Sequence, residues 1–203
     1  MWSTSSETFT ERVRLLAHRV LDPVATLLYR LGVHPDMITV LGLLMVLIAC
    51  VFVANGQFLW GAFLLLAGLP LDALDGAIAR KMPHRGKFGA VLDSSLDRYA
   101  DGFIFAALSY HFAVQNRMEM MLVAQAALLG SFGVSYLRAR AEGVGVDVKI
   151  GLFTRLERTI VILGMLFIVP LLDVGVIILA LGTNFTAVQR LYYVYKTLKD
   201  EGR

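Results

Sequence analysis

The sequence predicts an all-α integral membrane protein: six transmembrane helices preceded by an N-terminal amphipathic helix on the membrane surface. Three observations predict it. Hydrophobic types make up 57% of the 203 residues and charged types only 17%, whereas soluble domains average roughly 25% charged. The apolar residues gather in runs of membrane-spanning length. The basic residues fall almost entirely between alternate runs. This composition excludes a disordered chain, a nucleic-acid-binding arm and an ordinary soluble enzyme. The lone Cys50 excludes an internal disulfide, and no Cys/His cluster offers a zinc site.

Residues 1–35 carry Glu7, Glu11, Arg12, Arg14, Arg19, Asp22 and Arg30, so no cleaved secretory signal is expected. Val13, Leu16, Val20, Val24, Leu27 and Leu31 recur at helical spacing, with Arg12, Arg19 and Asp22 opposite. This pattern predicts a juxtamembrane surface helix with a break or restart at Asp22-Pro23. Residues 36–203 then form the membrane domain.

The first span covers residues 37–54 and ends at the turn Asn55-Gly56-Gln57. The second runs from Phe58 to Lys81, with Asp72 and Asp75 in its latter part. A polar loop at 81–87 leads to the third span, 88–114, which contains Asp93, Asp97, Arg98 and Asp101. The turn Gln115-Asn116-Arg117 precedes the fourth span, 118–137. A second polar loop is expected over 138–154, a fifth span over 156–172 and a sixth from Val174 to about Tyr195. Helices are required because lipid offers no partners to backbone polar groups, and these runs exceed barrel strands in length. Seventeen of the nineteen Lys and Arg residues fall on one side, all but Arg98 and Arg117. That side and both termini are therefore expected to face the cytoplasm.

A carboxylate at mid-helix costs about 2.5–3.5 kcal/mol on insertion scales, so intramembrane acids mark function. Asp72 and Asp75 are three residues apart, and Asp93 and Asp97 four, so each pair shares a helix face. An antiparallel hairpin would bring the faces together. Converging carboxylates repel unless cations bind, and an all-oxygen set selects Mg²⁺, Mn²⁺ or Ca²⁺. Four would suffice for two ions about 3.5–4 Å apart, an arrangement suited to phosphoryl chemistry. The residues alone leave two other readings: salt bridges to Arg80, Arg85, Lys87 and Arg98, or the proton relay of a carboxylate-gated cation transporter. Gly76 and Gly89, beside the aspartates, suit close approach of a helix or ligand to the backbone.

The string Asp72-Ala-Leu-Asp75-Gly76-Ala-Ile-Ala79-Arg80, then Gly89, Asp93 and Asp97 at the spacing D-x2-D-G-x2-A-R-x8-G-x3-D-x3-D, resembles the signature of the CDP-alcohol phosphotransferases at every specified position. The resemblance implies a six-helix fold, commonly dimeric, that uses Mg²⁺ or Mn²⁺, with two ions expected. It implies that Asp72, Asp75, Asp93 and Asp97 bind metal, Asp97 also acting as the base on the acceptor hydroxyl. It implies that this oxygen attacks the β-phosphorus of a CDP-linked lipid, CDP-diacylglycerol, and that CMP leaves. Gly76 and Ala79 would lie against the cytidine and Arg80 would pair with phosphate. Gly86 falls at a further donor position. Asp36, Met37, Ile38 and Thr39 resemble the family's other nucleotide-side element, and also read as an ordinary helix start.

Within the family, Ser135-Tyr-Leu-Arg138-Ala-Arg140-Ala-Glu142 and Arg155-Leu-Glu157-Arg158 resemble the subfamily of bacterial phosphatidylinositol-phosphate synthases. By that resemblance Arg138, Arg158 and Arg190, with Arg155 or Arg140 nearby, would hold the phosphate of inositol 1-phosphate. Planar guanidinium groups suit a dianionic phosphate. Attraction to anionic headgroups accounts for basic residues here as well. The alternative acceptors are glycerol 3-phosphate and then neutral or zwitterionic alcohols such as serine. Asp101, one turn beyond Asp97, is left with two readings, orienting a ligand or pairing with Arg98, and the scattered histidines receive no role.

Overall fold

The computed structural model describes residues 21–82 and 87–201, with side chains omitted at Lys87 and Glu201. Residues 1–20, which carry most of the expected surface helix, and Gly86 lie outside the described residues. Everything described is helix, turn or loop, with no strand. We label residues 21–30 α1, followed by α2 Pro35–Ala54, α3 Phe58–Lys81, α4 Lys87–Val114, α5 Met118–Glu142, α6 Arg155–Phe167 and α7 Leu172–Glu201. A 3₁₀ turn, Val169–Leu171, joins the last two.

Among the described residues four stretches are long and apolar enough to cross a membrane: Pro35–Ala54, Phe58–Lys81, Met118–Glu142 and Val169–Asp200. Two of the six expected spans fall short of that measure. α4 has the length, but Asp93, Asp97, Arg98 and Asp101 interrupt its first half. α6 has only 13 residues before Ile168 leaves helical geometry and Pro170 enters the 3₁₀ turn, against about 20 needed to cross. The expected polar loop at 138–154 is shorter in fact, because α5 continues to Glu142. Arg138 Nε donates to Glu142 Oε1 at 2.9 Å, one turn on, and Ala141 is buried, so the last turn stays helical.

The chain divides into two compact units, and α2, α3 and α4 each contribute to both. The smaller takes in the chain up to Gly42 and Ala67–Leu96. Its core is Ala25, Ile38, Leu74, Ala77 and Ile78. Lys81 at the end of α3 pairs with Asp22 of α1 at 3.1 Å. Helix α1 buries Ala25 and leaves Val24, Leu27 and Leu31 exposed.

The larger unit, Leu43–Leu66 with the chain from Asp97 on, has a core that includes Phe105, Leu108, Phe112, Met165, Leu166 and Leu179. The turn after α2 places Gly56 at φ +75°, and Asn116 takes φ 58° after α4. Glycine and asparagine tolerate this left-handed region. Helices α5 and α7 approach closely at Gly130. There Thr183 and Asn184 of α7 donate to the carbonyls of Ala127 and Ala126 at 3.5 and 2.8 Å. The loop after α5 folds onto α7: Phe153 N–H donates to Thr186 Oγ1 at 3.0 Å, and the Phe153 ring occupies the space that a side chain at Gly182 would need.

Candidate metal and nucleotide site

In the smaller unit the last turns of α3 and the first turns of α4 bring three carboxylates together. One oxygen each of Asp72, Asp75 and Asp93 lies within 4.8 Å of the others. Asp72 is exposed, Asp93 is half-buried and Asp75 is only 6% exposed. A buried carboxylate needs a donor. Thr39 of α2 supplies one, its Oγ1 donating to Asp75 Oδ2 at 2.8 Å. Three crowded carboxylates with hard oxygen donors fit a divalent cation such as Mg²⁺ or Mn²⁺.

Beside them opens a cavity of about 570 Å³. Asp36, Thr39, Gly76, Ala79 and Arg80 line it, five of the eight residues expected at the donor site. Met37 is 63% exposed and Ile38 belongs to the core of this unit, so neither lines the cavity. They flank Asp36 and Thr39 in sequence, but α2 is already helical there and turns them to other faces. Glycine matters at position 89, where an added Cβ would come within 3.2 Å of Asp36 Oδ1. Sequence reasoning missed His34, Met82 and Phe88, which also line the cavity. His34 Nδ1 lies 3.3 Å from Asp36 Oδ2. Its place directly before Pro35-Asp36 was the available signal. No local pattern pointed to Phe88.

Asp97, the fourth expected ligand, belongs to the larger unit. There its Oδ1 accepts from Arg155 at 2.7 Å, and Arg98 reaches its Oδ2 at 3.5 Å. Helix α6 begins with a capping box between Thr154 and Glu157, which sets Arg155 and Arg158 in its first turns. Cations are disfavoured at that positive end of a helix, so their placement calls for an anionic partner. Arg158 is 2% exposed and donates from Nη2 to Asp101 Oδ2 at 2.7 Å. Arg190, 4% exposed, donates from Nε to the carbonyl of Ile150 at 2.9 Å and from Nη1 to that of Val134 at 2.7 Å. Arg158, through Asp101 and Ser131, and Arg190, through Val134, are both tied to α5, the helix that also carries Arg138; of the three only Arg138 stands in the open, paired to Glu142.

Membrane-length helices, clustered carboxylates and an adjoining cavity define a membrane-embedded enzyme of phosphate chemistry. Residues 32–188 match the family described as CDP-alcohol phosphatidyltransferase, and the chain belongs to that family of transferases. It is 36% identical over 199 residues to the archaetidylinositol phosphate synthase of Methanothermobacter thermautotrophicus, covering 96% of this chain and 98% of that one. It also resembles a crystal structure of the Mycobacterium tuberculosis phosphatidylinositol phosphate synthase with CDP-DAG bound. The TM-score is 0.83 at 33% identity, over 87% of this chain and 94% of that one. The same mycobacterial enzyme in complex with manganese and citrate matches with a TM-score of 0.82 at 32% identity, over 86% and 88% of the two chains. Family membership removes the cation-transporter reading.

Proposed function

We propose that this protein transfers the phosphatidyl group of CDP-diacylglycerol to inositol 1-phosphate, releasing CMP. The observation that carries the reading is the meeting of Asp72, Asp75 and Asp93 beside a cavity lined by Gly76, Ala79 and Arg80. Relatives named for inositol phosphate products at 33–36% identity support the acceptor. The manganese complex supports the divalent metal.

In this reading Asp72, Asp75, Asp93 and Asp97 would hold two Mg²⁺ or Mn²⁺ ions. When bound, the ions neutralise the donor diphosphate and the charge that builds on the leaving CMP. Thr39 orients Asp75. The cytidine lies in the cavity against Gly76 and Ala79, with Asp36 and Thr39 at its edge and Arg80 on phosphate. Asp97 accepts the proton of the acceptor hydroxyl. A new bond forms from that oxygen to the β-phosphorus, and the bond from this phosphorus to the oxygen of CMP breaks. Arg138, Arg155, Arg158 and Arg190 hold the acceptor's phosphate.

Residues 36–203 form the catalytic membrane domain, with six spans once α4 and the α6–3₁₀ segment are included. Within the juxtamembrane segment 1–35, helix α1 lies along the membrane surface, the exposed Val24, Leu27 and Leu31 toward lipid. The active site and both termini face the cytoplasm of a multi-pass cell-membrane protein, which works as a homodimer. The test is CMP release from CDP-diacylglycerol with a panel of acceptors. Inositol 1-phosphate should support it, and glycerol 3-phosphate, serine and free inositol should not. Release with glycerol 3-phosphate alone would keep the reaction and replace the acceptor.

A further inference from the structure

Asp101 lies one turn beyond Asp97 and has no place in the family signature. Its Oδ2 accepts two hydrogen bonds, from Ser131 Oγ of α5 at 2.9 Å and from Arg158 Nη2 of α6 at 2.7 Å. Ser131 is 1% exposed and Arg158 2%. A guanidinium offers five N–H donors in a rigid fork. Asp101 engages one amino group, and the buried Nε of Arg158 has no hydrogen-bond partner among the described residues. An unmatched buried donor costs free energy, and a lone structural ion pair gives no reason to keep one. Arg190 nearby has backbone carbonyls for partners and no carboxylate among the described residues. The cluster therefore holds cationic N–H groups beyond those its own acceptors satisfy.

We infer that Asp101 is a positioning residue for acceptor recognition. Tied to Ser131, it grips Arg158 by Nη2 and leaves the rest of the guanidinium for the oxygens of a phosphate monoester. The inference rests on the proposed acceptor site. Asp101 touches neither substrate in this scheme; it acts through Arg158. The fixed fork keeps Arg158 from swinging toward other carboxylates, so its donors meet the phosphate with little further loss of side-chain freedom.

The test is Asp101→Asn, which keeps the shape and an acceptor oxygen while removing the charge. At saturating CDP-diacylglycerol, its KM for inositol 1-phosphate should rise about tenfold, the cost of weakening one charge-assisted hydrogen bond. Its kcat at saturating acceptor and its KM for the donor should stay nearly unchanged. Ser131→Ala should shift the acceptor KM in the same direction by less, and it carries the test should Asp101→Asn fail to fold. In an Arg158→Lys background Asp101→Asn should add nothing. Thermal stabilisation of the wild type by inorganic phosphate should be lost in Asp101→Asn, a readout that does not depend on which alcohol carries the phosphate. An unchanged or lowered acceptor KM, or a fall in kcat alone, would overturn the inference. A wild type that turns over only with another phosphorylated alcohol would remove the proposed acceptor instead, and the same KM comparison on that alcohol would then decide the role of Asp101.

Discussion

Thr39 Oγ1 donates to Asp75 Oδ2 at 2.8 Å, across 36 positions of sequence. The bond joins the first turn of α2 to the last turns of α3. It gives the most buried of the three clustered carboxylates a fixed orientation beside Asp72 and Asp93. Thr39→Val keeps the shape and removes the donor. It should raise the metal concentration for half-maximal activity by about tenfold, the scale of one hydrogen bond to a charged group. Thr39→Ser should stay close to wild type. Titration of activity with Mg²⁺ and Mn²⁺ checks both, and an unshifted Thr39→Val curve would detach Thr39 from the site.

Removing divalent cations with a chelator should abolish CMP release, and adding Mg²⁺ or Mn²⁺ back should restore it. Asp93→Asn should need at least about 100-fold more metal or lose activity, because losing a ligand costs more than losing an outer-shell partner. A chelated enzyme that still turned over would contradict the carboxylate site.

Asp97→Asn should lower kcat by about 10² to 10⁴-fold, the range for removing a general base. Binding of CDP-diacylglycerol, measured at equilibrium, should survive. The substitution also ends the charge pairing with Arg155, 2.7 Å away. Thermal melting should therefore be compared alongside the rate, and a normal rate would end the assignment of Asp97 as base.

Gly130→Ala tests the packing of α5 on α7. An added Cβ would collide with Thr183 Oγ1 and come 2.8 Å from the backbone nitrogen of Asn184. A side chain could rotate away, but a backbone atom cannot. The expected cost is about 1–3 kcal/mol, read as a lower Tm in detergent. Gly164→Ala in α6, where nothing lies within 4 Å, is the matched control. It should be neutral or stabilising by up to about 1 kcal/mol.

The aspartates were legible because charge inside apolar helices is costly and their spacing repeats the helical period. Gly56 and Asn116 were legible as turns because short polar triplets interrupt the apolar runs there. The end of α5 was not. Falling hydropathy at Arg138 marks where apolar character stops, and the Arg138–Glu142 pair carries the helix past that point. The apolar run from Ile160 to Leu172 hid the end of α6 at Phe167, because the residues around the break are all apolar. The arginine motif revealed charge but not burial. Arg190 is held by the carbonyls of Val134 and Ile150, which no side-chain pattern announces. Thr39 was picked out as a nucleotide-side residue, yet its bond to Asp75 depends on how distant turns meet.

The most direct test follows the acceptor into the lipid. The purified protein would be given CDP-diacylglycerol, Mg²⁺ and inositol 1-phosphate labelled with ³²P in its phosphate group. Label should enter the lipid fraction one for one with CMP released, and neither should happen after chelation. CMP release with all label left in the aqueous phase would contradict the central claim, because the phosphatidyl group would then have gone to water or to another alcohol.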